Sequence, residues 1–395
     1  MRQEIKERIE KIRQGEVPEG YKKTKVGVTP IDWEVKQAKD IFKNISNKNH
    51  DGSLEVLSVT QDRGVMPRSE VNIDIKYNDE NLQNYKKIDK GDFVISLRSF
   101  QGGLEYSNYC GLVSPAYTII RPLEKVADNY FKEYFKSPNY IKRLNVAVYG
   151  IRDGKQISYS DFGFMQTPKP PILEQQKIAD ILTKQDEVVE LKEKLLDEKK
   201  QQKKYLMQQL LTGEKRLPGF DGKWTVKKLG DVCICKTSSI SMAQVKDNDK
   251  FPVYDANKIV GYLDNYISNE KYISIIKDGA GVGRICKCLS KSSVLATMAY
   301  IYPKTSIDYN YLYCLLGTIN FDKYKIGSTI PHIYFKDYKV ESFNMPSIEE
   351  QQAIADILTT ADKEIELLEQ DLEQEKQKKK ALMQLLLTGI VRVKV

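Results

Sequence analysis

The chain has 395 residues, 41% hydrophobic and 10% aromatic, with 62 Lys and Arg against 54 Asp and Glu for a formal net charge of +8. This length and apolar share suit two globular domains, each with its own core, and exclude a disordered chain. No run of about 18 apolar residues could span a bilayer, the charged start MRQEIKERIEKIRQGE is unlike a secretory leader, and six cysteines are too sparse for a disulfide scaffold; a cytoplasmic protein is expected.

In chain order, residues 1–17 read as a short helical arm, with Ile5, Ile9 and Ile12 on one face of EIKERIEKI. GEVPEGY follows it and echoes GEKRLPGF further on, which suggests that the arm packs near the end of the second long helix described below. Residues 18–169 form a first globular segment. FVISL and YTIIRP read as strands and NYFKEYFKS as a helix, so the segment mixes α and β.

Residues 170–213 change character. PPILEQQKIADIL…LMQQLLTG recurs 176 positions later as PSIEEQQAIADIL…LMQLLLTG, ungapped, with about 27 of about 44 positions identical. A repeat this long defines the architecture. In the first copy Ile178, Leu182, Val189, Leu196, Leu206 and Leu210 follow a heptad. The second copy repeats it with Ile354, Leu358, Ala361, Ile365, Leu368, Leu372, Leu382 and Leu386. Gln185, Lys192, Lys199, Lys203, Glu375 and Lys379 interrupt the stripe with polar groups able to set register by charge pairing. Pro170 and Pro171 precede the first helix, where a missing N–H is tolerated. Gly213 and Gly389 stand where a C-terminal cap belongs. Each helix is then about 38 residues, or about 57 Å. Paired antiparallel, two equivalent helices define a pseudo-twofold axis.

Residues 214–345 form a second globular segment, shorter by about 15 residues and little like the first. Its opening KWTVKKLGDV nonetheless matches DWEVKQAKDI at Trp33/Trp224, Val35/Val226, Lys36/Lys227 and Asp40/Asp231, and these are the only two tryptophans. A later echo pairs QISYSDF with HIYFKDY. Residues 346–395 carry the second long helix and a tail. The divergent segments hold the positive charge, about +5 over 1–169 and about +6 over 214–345, whereas the first repeat is about neutral and the second about −5. A basic footprint on those segments fits a polyanion such as DNA.

The motifs of catalysis are missing. There is no Asn/Asp-Pro-Pro-Tyr/Phe of an adenine methyltransferase and no G-x-x-x-x-G-K-[ST] phosphate loop. GAGVG, from Gly279 to Gly283, lacks the dinucleotide pattern and reads as a tight turn between strands. Cys233-x-Cys235 and Cys286-x-Cys288 offer four thiols, but structural zinc pairs are usually spaced wider, and an i, i+2 pair simply shares one face of a strand; no metal site is assigned.

Phosphate binding calls for Lys and Arg, and base reading for Arg, Lys, Asn and Gln. Such residues cluster in glycine-bearing stretches. In the first segment these are Arg98, Ser99 and Gln101 of RSFQGG and Arg152, Lys155 and Gln156 of GIRDGKQ. In the second they are Lys277 and Arg284 of IKDGAGVGR and Ser328, Thr329 and His332 of STIPHIY. Arg63 and Arg68 form a further loop candidate.

The duplicated helical blocks, together with GLVSPAYTII from Gly111 and GAGVGR…VLATMAYIY from Gly279, resemble the specificity subunit of type I restriction–modification systems over nearly the whole chain. The resemblance implies an α+β fold: two mixed α/β target recognition domains separated by two long antiparallel coiled-coil helices with a pseudo-twofold internal repeat. It implies a non-catalytic subunit whose two domains each bind one half of a gapped double-stranded DNA target. Its helices would set the gap and dock two methyltransferase subunits, with two restriction subunits completing the complex. S-adenosylmethionine, ATP and Mg2+ would then be used on those other subunits. The alternative is the recognition subunit of a related system with a fused methyltransferase–nuclease partner.

Overall fold

A computed structural model describes residues 3–71, 79–148, 157–256 and 258–394. The chain divides into two compact units, one of residues 1–191 with 372–395 and one of residues 192–371. Among the described residues, no helix is long and apolar enough to cross a membrane.

Each unit is built on a four-stranded antiparallel sheet of the same strand order. In the first unit Phe42–Ile45, Thr118–Pro122, Phe93–Ile95 and Glu105–Tyr106 lie side by side. In the second the order is Cys233–Thr237, Met298–Pro303, Tyr272–Ile276 and Ile285–Cys288. The registers agree: Pro122 faces Phe42 and Pro303 faces Cys233, and both facing residues come nine positions after their unit's tryptophan. The strand holding each tryptophan's neighbours, Glu34–Gln37 or Thr225–Lys228, pairs with the strand leading into a long helix, Gln166–Lys169 or Ser342–Met345. FVISL, YTIIRP and NYFKEYFKS thus supply the strands Phe93–Ile95 and Thr118–Pro122 and the helix Asp128–Lys136.

The cores differ in chemistry. In the first unit Phe42, Phe93, Phe131, Phe135 and Phe162 pack edge-to-face or tilted, with Phe42 and Phe131 rings 5.0 Å apart at 88°. In the second, the core is mostly aliphatic: Ile273, Ile275, Ile301, Leu312 and Leu315 share one cluster with Tyr311. The first unit adds the helix Gln3–Arg13, the hairpin of Tyr21–Thr24 with Gly27–Pro30 and the helix Pro138–Val148. The second adds a three-stranded sheet of Lys258–Leu263, Phe251–Asp255 and Ser293–Val294, the last pair parallel.

The repeated blocks form the long helices Ile172–Thr212 and Ile348–Leu386, of 41 and 39 residues. Each is divided between the units. In the first unit Gln185 donates to Glu375 (2.7 Å) and Lys379 pairs with Asp186 (2.5 Å), while Glu174 meets Arg392, so the halves run antiparallel. In the second, Lys192 pairs with Asp371, Lys199 with Glu364 and Lys203 with Asp362, again antiparallel. The apolar stripe faces inward throughout. Ile178, Leu182, Leu210, Ile354, Leu358, Leu372 and Leu386 are buried, and Val189, Leu196, Leu206, Ala361, Ile365, Leu368 and Leu382 are half-buried.

The identical residues of the repeat fasten helix to domain in the same way twice. The carboxylate of Glu174, fully buried, accepts from the Trp33 indole at 2.9 Å and from Arg392 at 2.7 and 2.8 Å. Glu350 does the same with Trp224 at 3.0 Å and Arg216 at 2.7 and 2.8 Å. Buried carboxylates are tolerated when paired and fully hydrogen-bonded. Gln175 donates to Pro170 O and accepts from Ala127 N, and Gln351 donates to Pro346 O and accepts from Asp308 N. Each helix closes through a six-residue return bond, Lys215 N to Gln209 O or Val391 N to Leu385 O, across a glycine in the left-handed region. A Cβ on Gly213 would lie 3.0 Å from the Trp224 ring, and one on Gly389 3.1 Å from Trp33. At the Trp33 junction Tyr21 donates to Gly389 O at 2.9 Å and Arg8 to Ile390 O at 3.0 Å, so the helical arm does lie at the end of the second long helix.

Candidate nucleic-acid interface

In the second unit the sheet strand Tyr272–Ile276 runs out into a loop over residues 277–284. The loop's backbone is knitted to a second loop over residues 326–333. Gly279 N donates to Pro331 O (2.9 Å), Ile333 N to Lys277 O (3.0 Å), and Ile326 and His332 exchange two bonds of 2.9 Å. Gly327 makes the turn possible: its φ is +86°, and a Cβ there would stand 2.6 Å from Ile330 O. Ser328 and Thr329 are exposed at the tip and Arg284 is exposed on the adjoining loop. His332 and Lys277 are half-buried, with Lys277 paired to Asp278. Five residues separated by some 50 positions therefore share one surface.

That surface also carries apolar and aromatic groups. Ile326, Ile330 and Tyr334 are exposed, the Tyr334 ring lies 6.0 Å from His332, and Lys336 sits 5.3 Å from the Tyr334 ring centroid. GAGVG forms the bend between Tyr272–Ile276 and Ile285–Cys288, where Gly283 N and Ile276 N bond back to Ile276 O and Arg284 O. The cysteines lie on strands, Cys233 and Cys235 on Cys233–Thr237, Cys286 and Cys288 on Ile285–Cys288. Burial pushes the Cys233 and Cys235 thiols up to about 12 and about 11. Among the described residues no three His, Cys, Asp or Glu side chains gather to hold a metal.

In the first unit the corresponding strand, Phe93–Ile95, leads to the turn Ser99–Gly102. Arg98 and Gln101 are exposed there. Ser99 is not: it is 1% exposed, and its hydroxyl accepts from Ser96 N at 2.8 Å. This corrects its placement among contact residues, because a hydroxyl committed to its own turn shapes the loop instead of reaching a ligand. Arg152, Lys155 and Gln156 lie outside the described residues. Arg63 is exposed and donates to Glu70 O at 3.1 Å, and Arg68 is half-buried.

One contributor escaped the sequence reading. Gln61, in the turn between Leu57–Thr60 and Gly64–Pro67, donates its amide to Arg98 O at 3.1 Å. The Gln-Asp-Arg-Gly stretch between two short β-prone runs was the available signal. The Arg216 and Arg392 clasps were also missed, although the two arginines stand 176 positions apart, in step with the repeat.

The profile of the family described as the type I restriction modification DNA specificity domain matches residues 30–201 and 221–377. The chain belongs to this family, the specificity subunits of type I restriction–modification systems. It is 25% identical to the putative type I restriction enzyme MjaX specificity subunit of Methanocaldococcus jannaschii over 95% of this chain and 97% of that protein. The MjaVIII specificity subunit of the same organism is 24% identical, covering 92% and 94%. Among solved structures, the type I S subunit from M. genitalium superposes with a TM-score of 0.58 at 15% identity, covering 92% of this chain and 97% of that one. A chain from a structure of type I R-M complex assembly and conformational transition gives 0.57 at 16% identity, covering 92% and 99%. At these identities the structures speak for the fold.

Proposed function

We propose that this chain is the non-catalytic, cytoplasmic DNA-recognition subunit of a type I restriction–modification enzyme, reading a two-part target with one half assigned to each globular domain. The carrying observation is that two sheets of one strand order present loops of unlike sequence: Arg98 and Gln101 in the first, Lys277, Arg284, Ser328, Thr329 and His332 in the second. A shared scaffold with divergent loops is what two different half-sites call for. The domains are residues 18–169 and 214–345, preceded by the arm 1–17 and joined by the helical segments 170–213 and 346–395. The long helices pair as an antiparallel coiled coil with a pseudo-twofold axis, set the gap and dock two methyltransferase subunits. Two restriction subunits complete the assembly. S-adenosylmethionine, ATP and Mg2+ act on those partners. Half-site centres about one DNA turn apart, near 34 Å, suit such a reader.

The test is a methylation map. The chain is expressed with its methyltransferase partner in a methylation-free host and modified adenines are located by single-molecule sequencing. The expected result is a gapped motif with two unlike halves and one methyl adenine on each strand. A continuous palindrome would overturn the two-headed reading. Exchange of residues 214–345 for another domain then changes one half only, and four residues inserted after Asp197 widen the gap.

A further inference from the structure

Beneath the first unit's loops lies a buried ion pair. Glu105, 1% exposed, stands on the strand Glu105–Tyr106 opposite Val94. Its carboxylate receives the Lys136 ammonium at 2.5 Å. Lys136 ends the helix Asp128–Lys136, where the helix dipole favours a cation. The same ammonium donates to Gln61 O at 3.0 Å, and the Gln61 amide donates to Arg98 O. One chain of polar contacts therefore runs from a buried carboxylate to the backbone of an exposed arginine.

The turn is pinned on both sides of that chain. A Cβ on Gly102 would press on the Gln61 amide at 3.3 Å, and one on Gly103, whose φ is +81°, would overlap Phe135 O at 2.0 Å. The turn, the hairpin tip and the helix end are thus in mutual contact, and Lys136 is the only charged side chain bonded to both Glu105 and Gln61 among the described residues. Among the described residues the second unit has no such pair at the equivalent place. Its sheet register puts Cys286 opposite Ser274, in the place of Glu105 opposite Val94, and its loops are joined by backbone bonds instead.

We propose that Lys136 and Glu105 are positioning residues that fix the Arg98 turn for reading the first unit's half of the DNA target. This rests on the reading of the chain as a two-part DNA-recognition subunit. The clamp is also sensitive to pH. Burial, opposed by Lys136 and aided by the nearby Asp62 carboxylate, pushes the Glu105 carboxyl up to about 7. Below that value Glu105 keeps its proton and its carbonyl oxygen still accepts from Lys136. A carboxyl that holds its proton more tightly in the clamped turn than in water favours that turn below about 7, and the preference is lost as the carboxyl ionises above it. Val94, opposite Glu105 on the neighbouring strand, brings no charge, so Lys136 and Asp62 are the charged groups that bear on it.

The experiment uses the assembled complex with its methyltransferase subunits. Binding and methylation are measured from pH 6 to 8.5 on duplexes carrying the mapped target, or a single base change in one half or the other. In the unaltered complex, discrimination against first-half changes falls as pH rises through about 7, relative to discrimination against second-half changes. Lys136→Met lowers first-half discrimination roughly tenfold and spares the second half, and Lys136→Arg restores most of it. Glu105→Gln flattens the first-half pH profile. Circular dichroism and thermal melting establish that each variant is folded; a Lys136→Met chain that fails to fold leaves Lys136→Arg and Glu105→Gln to decide. Equal losses on both halves, or an unchanged pH profile in Glu105→Gln, overturn the proposal while two-part recognition stands. An unaltered complex that ignores changes in either half overturns both.

Discussion

The two units solve one problem with different materials. Both fasten a tryptophan and an arginine to a buried glutamate at the start of a long helix, at nearly the same distances. Both sheets have the same order and register. Yet Trp33 is 0% exposed beneath the hairpin that ends at Pro30, whereas Trp224 is half-buried. Where the first unit sets Glu133 against Lys379, the second has Cys314 near Lys203. The fastening is therefore constrained by the helix it grips, and the domain surface and core around it are free to diverge.

Substitution at the clasps gives the largest break. Trp33→Ala should destabilise the first unit by about 3–5 kcal/mol. Trp224→Ala should cost the second unit clearly less, since less of that ring leaves water. Hydrogen exchange, followed separately in peptides of each unit, measures the two losses; equal losses would mean the hairpin contributes nothing.

At the loops, Arg284→Ala should relax specificity in one half of the target by about 1–3 kcal/mol, and Arg98→Ala in the other. Competition binding with half-site variants reads this out. If both variants relaxed the same half, the assignment of one half per unit would fall.

The helix closures sharpen the comparison further. A left-handed alanine costs about 1–2 kcal/mol. Gly389→Ala should exceed Gly213→Ala, because its Cβ meets Pro30 Cδ at 2.5 Å as well as the indole. Thermal melting with unit-resolved exchange ranks them.

The pH response should also separate the units. Burial raises the Glu133 carboxyl, against the pull of Lys379. A carboxyl that holds its proton more tightly when folded loses stability as pH rises, from the ordinary carboxylate range up to its raised value. The first unit should show that decline from Glu105 as well as Glu133, and Glu133→Gln should reduce it without removing it; an undiminished decline would assign it to Glu105 alone. The smallest effect belongs to exposed pairs. A Lys200/Glu369 double-mutant cycle should give under about 1 kcal/mol.

How much of this was legible follows from where each contact's information lies. The long helices were, because heptad spacing and the duplicated EQQ and LTG ends are local signals, and the structure extends each helix by only a few residues. Strands such as Phe93–Ile95 were, because a short apolar run rich in β-branched and aromatic residues announces them. The pairing of Glu34–Gln37 with Gln166–Lys169 was not, since it joins residues more than 120 positions apart and no local pattern encodes such a partner. The interface was legible in kind but not in detail. Arg98 and Arg284 are exposed as polar loop residues should be, but Ser99 turns inward and Gln61 arrives from a distant hairpin.

The first unit is discontinuous along the chain, and this gives synthesis an order of events. Every part of the second unit lies between residues 192 and 371, so its Arg216 has emerged long before its Glu350 needs it. The first unit waits for residues 372–395. At about 5–20 residues per second the ribosome needs roughly 10–40 s to make the interval between Glu174 and Arg392. Throughout that time the Glu174 carboxylate of the first domain has Trp33 but lacks its Arg392 partner. The half begun first is thus the half completed last.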